Sequence, residues 1–267
     1  MAPMNEYDLK QLETRFRDYT EGFIRRAEDD RPYTLKQEHT MAVARHITML
    51  AESIGMGEGV IRLVRAAALV HDLGRFSQFE RFNTFSDARS RNHAALGAGE
   101  MVRQGILSGI SRGDRRLILR AVALHNRPRL PRGLTPELDR LSRLLRDADK
   151  IDIYRVMAEL YRSRENGSEN FITHNLKDDG KVSGELLSQI RAGRSVPYSR
   201  VATLNDLKLF QVSMVYDLNF PAAAGAVLDM DIIDTILGSM PQSDGLADLG
   251  RTLAAHLTGA AGRQGEN

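Results

Sequence analysis

The chain has 267 residues, 42% of them hydrophobic and 27% charged, with a formal net charge of +2. That is enough for one large domain with a sizeable core; it excludes wholesale disorder, and the near-balanced charge gives no bulk argument for nucleic acid as a partner. Cysteine is absent, which excludes disulfides, cysteine-based zinc sites and thiol catalysis. Met1 to Lys10 lacks the apolar core of a signal peptide, and no apolar run reaches the length of a membrane span, so a cytoplasmic location and no membrane partner are expected.

Helical periodicity dominates from the start. Leu9, Leu12, Phe16, Tyr19 and Phe23 recur at threes and fours, which predicts an amphipathic helix over Tyr7 to Ala27. Asp29-Asp30-Arg31-Pro32 breaks it. A second helix is expected from Leu35 to Ile54, before Gly55, Gly57 and Gly59. A third, Val60 to Val70, is nearly all apolar on one side and ends at His71-Asp72, with Gly74 as a stop signal. Arg75 to Asn92 reads as a long polar and aromatic connection containing Phe76, Phe79, Phe82 and Phe85. Connections of that length are often functional.

His93 then opens a helix, Ala94 to Gln104. Another follows over Arg115 to His125 and ends toward Pro128 to Pro131. Leu138 to Tyr161 reads as one long helix. Gly167 to Gly184 has turn chemistry, Phe171 to His174 is a weak strand candidate, and Glu185 to Leu257 alternates helical runs with turns. Gly259 to Asn267 is small and polar, with the composition of a fraying tail. The fold class expected is all-α: one helical domain over 1–257, with a motif core at 36–155, a C-terminal helical cap at 168–257, and a flexible tail at 258–267.

The chemistry-bearing residues begin with His71 and Asp72. Side chains of adjacent helical residues point about 100° apart, so both reach one ion only if it sits beside the helix end. Imidazole and carboxylate suit iron, manganese, zinc or magnesium, although a helix-end histidine favoured by the dipole would look the same. His39, in Glu38-His39-Thr40, lies at the edge of the stripe Val43, Ile47, Leu50. Asp149, in Asp147-Ala148-Asp149-Lys150-Ile151-Asp152, is four residues from Leu145 and eight from Leu141, on or beside the apolar face of its helix. A carboxylate directed there needs a metal, an arginine or backbone donors. Asp152 lies near the same face, and Asp147 is expected on the opposite, solvated side. His46, His174 and His256 read as structural.

In type and order, His39, His71-Asp72 and Asp149 resemble the signature of the HD-domain metal-dependent phosphohydrolase superfamily. Val70-His71-Asp72-Leu73-Gly74-Arg75 and Asp147 to Asp152 resemble its surroundings, and the likeness covers Lys36 to Arg155. Gly74-Arg75-Phe76, Thr84 to Asp87, Asn92-His93 and Tyr216 to Phe220 are similar to a group of stand-alone bacterial HD proteins. The resemblance implies an HD-domain helical bundle with additional C-terminal helices. It also implies divalent metal, with two ions if His93 and His125 supply a second one and Asp72 bridges both; iron or manganese is favoured, with zinc or magnesium open.

The activity so implied is hydrolysis of a phosphate ester by a metal-activated hydroxide. The substrate class is a small phosphorylated molecule, with nucleotides and phosphodiesters among the candidates. Asp72, Arg75 and Lys150 are the catalytic candidates. Arg75, Asn126, Arg127 and Lys150 are the candidates for binding substrate, and arginine's planar fork suits phosphate oxygens. A solvated charge is the competing reading for Arg75 and Lys150. The phenylalanines from 76 to 85 suit either a lid that stacks on a base or a packed core. Asp152 is a candidate for orienting a ligand or Lys150. The rival functions are an HD-fold diiron oxygenase, a catalytically silent nucleotide-binding module, and a nuclease, the last disfavoured by neutral charge and absent tryptophan. A homodimer is an open possibility.

Overall fold

A computed structural model describes residues 4–163, 171–173, 175–242 and 244–263. Among the described residues all regular structure is helical and there is no strand, the all-α class expected from the periodicity. Residues 171–173 form a turn rather than the start of a strand; His174 and the last residues of the tail lie outside the described set. No described helix is long and apolar enough to cross a membrane.

The chain divides into two compact units, Met1–Asp149 and Lys150–Asn267, with the boundary inside a long helix. The first unit contains α1 (Glu6–Arg26), α2 (Arg31–Ser53), α3 (Glu58–Val70), α4 (Leu73–Phe82), α5 (His93–Arg103), α6 (Arg112–His125) and the beginning of α7 (Pro136–Ser163). Local chemistry fixes several of their starts. Asn5 accepts from Asp8 N at 2.9 Å, Asn92 from Ala95 N at 3.0 Å and Ser111 from Asp114 N at 3.2 Å, each satisfying an orphan helix donor. Pro32 sits in the first turn of α2, where its missing N–H costs nothing, so the residues expected only to break α1 also begin its successor.

Packing within this unit joins α2 to α3, α3 to α6, and α4 to α5. α3 is buried on every side of its second half, from Ala66 to Val70. Its run of alanines lets neighbouring helices approach closely. An aromatic cluster of Phe23, Tyr33 and Phe76, with Tyr19 and Phe79 against it, ties α1, α2 and α4 together.

The stretch 75–92 differs from the expected connection. Residues 75–82 are helical, because Phe76 and Phe79 fall three apart on one face and pack inward. Asn83, with φ of 49°, closes α4 in the left-handed conformation. Only 83–92 is a loop, with a single 3₁₀ turn at Asp87–Arg89. Phe76 is fully buried and Phe85 is 6% exposed, so the packed-core reading holds for these two rings, whereas Phe82 is 39% exposed.

The second unit holds the rest of α7, then α8 (Gly184–Arg191), α9 (Leu204–Ser213), α10 (Pro221–Leu228), α11 (Ile232–Gly238) and α12 (Asp244–Ala261). α12 packs on α8, α10 and α11. Two tyrosines of α7 are anchored on α9: Tyr154 Oη donates to Gln211 O at 2.9 Å, and Tyr161 Oη bonds Gln211 Oε1 at 2.9 Å.

Candidate metal centre

His71 and Asp72 occupy the junction between α3 and α4. His71 keeps helical angles (φ −62°, ψ −39°), whereas Asp72 leaves them (φ −105°, ψ 14°). The bend turns two neighbouring side chains toward one place. His39 arrives from α2, His93 opens α5, His125 closes α6, and Asp149 comes from α7. All four histidines and Asp72 are buried; the Asp149 side chain keeps 19% exposure.

The two oxygens of Asp72 face different partners. Oδ2 lies 3.7 Å from His39 Nε2 and 3.8 Å from His71 Nε2. Oδ1 lies 3.4 Å from His93 Nε2 and 3.9 Å from His125 Nε2. Asp149 Oδ1 joins the first side, 3.1 Å from His39 Nε2 and 3.7 Å from His71 Nε2. His39, His71 and Asp72 thus form one group able to hold a metal ion, and Asp72, His93 and His125 a second, with ligand atoms within 4.8 Å of one another in each. All six residues expected as ligands are brought together in the first unit.

The hydrogen bonds behind the rings set their tautomers. His71 Nδ1 is 2.7 Å from Ala68 O and His125 Nδ1 is 2.6 Å from Val122 O. A carbonyl only accepts, so both rings carry the proton on Nδ1 and present a lone pair at Nε2. His93 Nδ1 faces both oxygens of Asp87, at 2.9 and 2.8 Å, with the same consequence. His93 Nε2 and His125 Nε2 are then 3.0 Å apart with lone pairs opposed, and buried His71 Nε2 has no hydrogen-bond partner among the described residues. A cation shared by His93 and His125 relieves the first, and one held beside His71 the second. Two nitrogens each about 2.1 Å from one ion stand about 3 Å apart when they take adjacent positions, so this donor set fits a divalent metal.

Electrostatics point the same way. Burial raises the Asp72 carboxyl, but Lys36, His71, Arg75 and His93 outweigh it and hold the group well below the usual carboxylate range. Burial likewise opposes ionisation of Asp149, and the adjacent imidazoles of His39 and His71 overcome it. Burial and Arg75 lower His93; burial, His93 and His71 push His125 down to about 3. Ionised carboxylates and neutral imidazoles are the ligand forms that metals require.

The expected substrate contacts fall in different places. Arg75 bridges rather than projects: its guanidinium meets Asp72 Oδ1 at 3.5 Å, Asp87 Oδ1 at 3.2 Å, Gln78 Oε1 at 3.0 Å and the carbonyl of Phe85. Asn126 donates to Asp87 Oδ2 at 3.2 Å. The Arg127 side chain is exposed. Lys150 belongs to the second unit, where its amine lies 2.9 Å from Asp217 Oδ2 and donates to Asp217 O at 3.2 Å. Asp152, in the same unit, pairs with Arg155 at 2.7 Å. Asp147, expected in solvent, is fully buried: α7 is covered on more than the Leu141, Leu145 and Ala148 side, since Leu144 and Ile151 are buried as well.

Three residues of the site had no assigned role in the sequence. Lys36 Nζ sits 2.8 Å from Asp72 Oδ2; its spacing of three from His39 on a helix was the available signal. Asp87 backs His93. Arg146 is buried and donates to His125 O at 3.2 Å and to the Arg127 carbonyl, which anchors the end of α6 that carries His125.

Residues 37–154 match the family model of the HD domain. This segment is an HD domain. The match takes in every histidine and carboxylate of the cluster, and the HD superfamily is one of metal-dependent phosphohydrolases. No curated protein and no solved structure gives a significant match to the chain.

Proposed function

We propose that the protein is a metal-dependent phosphohydrolase with two ions, one held by His39, His71, Asp72 and Asp149 and the other by Asp72, His93 and His125. The observation that carries the reading is the division of Asp72, whose two oxygens each face a separate set of imidazole nitrogens. When bound, such a pair of ions supplies Lewis acidity toward a phosphoryl group and makes water a stronger nucleophile near neutral pH.

The chain's own residues prepare that chemistry. Carbonyls of Ala68 and Val122 and the carboxylate of Asp87 keep Nε2 of three rings free of protons. Lys36 places an ammonium at the edge of the carboxylate cluster, with its side chain 17% exposed. Once other positive charge satisfies Asp72, this amine is available to a phosphate oxygen. Arg127, exposed two residues beyond His125, is the other phosphate contact in this reading. Lys150 would first have to leave Asp217. Phe76 and Phe85 lie in the core and offer no stacking face, and the substrate class is a phosphate ester with no preference assigned for a nucleotide.

The test is hydrolysis of p-nitrophenyl phosphate and bis(p-nitrophenyl) phosphate by metal-stripped protein, with and without added manganese. Turnover of either ester that depends on metal, persists without oxygen and disappears in Asp72→Ala supports the proposal. An absolute need for oxygen would point instead to oxygenase chemistry. Inert protein with its metal fully bound would leave a binding module.

A further inference from the structure

The three rings are not backed alike. His71 and His125 each lean on the carbonyl three residues earlier in their own helices, at Ala68 and Val122. That support exists wherever the helix exists. His93 is the first residue of α5, and the residue three before it, Ser90, lies in the loop. No helical carbonyl is available to it, so its acceptor must come from elsewhere. Asp87 supplies it, with Oδ1 and Oδ2 at 2.9 and 2.8 Å from His93 Nδ1 and Oδ1 at 3.3 Å from its backbone N.

Asp87 is itself fixed by three donors from two elements. Arg75 and Gln78 of α4 reach Oδ1 at 3.2 and 2.9 Å, and Asn126, after α6, reaches Oδ2 at 3.2 Å. These contacts leave the carboxylate little freedom to rotate. A charged acceptor also makes the imidazole a stronger donor at Nε2 than a carbonyl does.

Resting on the two-ion reading above, we infer that Asp87 is the positioning residue of the second metal site, fixing the tautomer and direction of His93 so that Nε2 faces Asp72 and His125. The first site has no loop residue behind its His71. Affinity for the second ion is therefore tied to the 83–92 loop through one carboxylate, and affinity for the first is not.

The experiment is calorimetric titration of metal-stripped protein with manganese ions, for wild type, Asp87→Ala, Asp87→Asn, Gln78→Ala and His93→Ala. Wild type takes up about two equivalents and His93→Ala about one. Asp87→Ala weakens the second equivalent about 10- to 100-fold and leaves the first within about threefold. Asp87→Asn, which keeps an acceptor oxygen without the charge and preserves the shape of the loop, falls between wild type and Asp87→Ala. Gln78→Ala removes contacts to Asp87, Ser90 and Arg91 but keeps the carboxylate, and shifts the second equivalent no more than about threefold. Two tight equivalents in both Asp87 variants would overturn the inference while leaving the two-ion reading intact. Equal loosening by Gln78→Ala and Asp87→Ala would also overturn it, by making loop integrity the cause. A single equivalent in wild type would overturn the two-ion reading and this inference with it.

Discussion

Gly74 offers the sharpest test of how the fold positions the site. A Cβ added there would lie 2.0 Å from His93 O and 2.5 Å from Gly97 N, both backbone atoms that cannot swing aside. An ordinary carbon–oxygen contact is about 3.3 Å, so α5 must retreat from α4 by roughly 1.3 Å. If His93 moves with it, its Nε2 leaves Asp72 Oδ1, now at 3.4 Å, for a distance of about 4.7 Å. That is too far for one ion to join them. Overpacking against side chains costs about 1–3 kcal/mol, and a rigid backbone places Gly74→Ala at the upper end, about 3 kcal/mol. For a chain of this size that is a fall in Tm of about 6–12 °C. Gly99→Ala, on the same helix with nothing within 4 Å of the added methyl, is the control and should gain about 0.5–1 kcal/mol. Urea unfolding and manganese titration read both effects. Gly74→Ala within about 0.5 kcal/mol of wild type and holding two ions would refute the claim that this close approach places His93.

Further outcomes follow from the same geometry. Each ion present at 100 times its Kd should add about 2.7 kcal/mol of stability, so thermal melts should rise with manganese and fall back with chelator; an unchanged Tm would count against binding at the cluster. Lys36→Met removes the nearest countercharge of buried Asp72 and should cost the metal-free protein about 1–3 kcal/mol. Bound metal replaces that charge, so the loss should shrink in urea unfolding with manganese present; an equal loss in both states would contradict the account. Phe76→Ala, at the centre of the aromatic cluster, should cost about 3–5 kcal/mol while sparing metal stoichiometry, since Phe76 touches the site only through its helix.

Much of the site was legible because the HD signature is a pattern of residue type and order, and His39, His71, Asp72 and Asp149 stand in it. His93 and His125 were reachable through the resemblance alone, for nothing in their local sequence distinguishes a ligand from a helix-terminal histidine. Lys36 carried only the weak signal of its spacing from His39, and Asp87 and Arg146 were not legible as site residues, because their roles depend on which helices meet. Asp87 matters through a ring six residues later and through donors from α4 and the end of α6. Three features of the fold were misjudged for identifiable reasons. Gly74 follows an apolar run, as a stop signal does, yet its bare Cα serves a helix crossing inside α4. Polar residues between Phe76 and Phe79 masked their helical spacing, and burial of α7 on several sides defeated an argument that placed Asp147 opposite a single apolar face.

The central claim is that one buried carboxylate, Asp72, joins two sets of imidazoles into a metal centre. Elemental analysis of purified wild type and Asp72→Ala tests it most directly. The account predicts about two equivalents of divalent metal in wild type and almost none in Asp72→Ala, with helical circular dichroism preserved. Full metal content in a folded Asp72→Ala would contradict it.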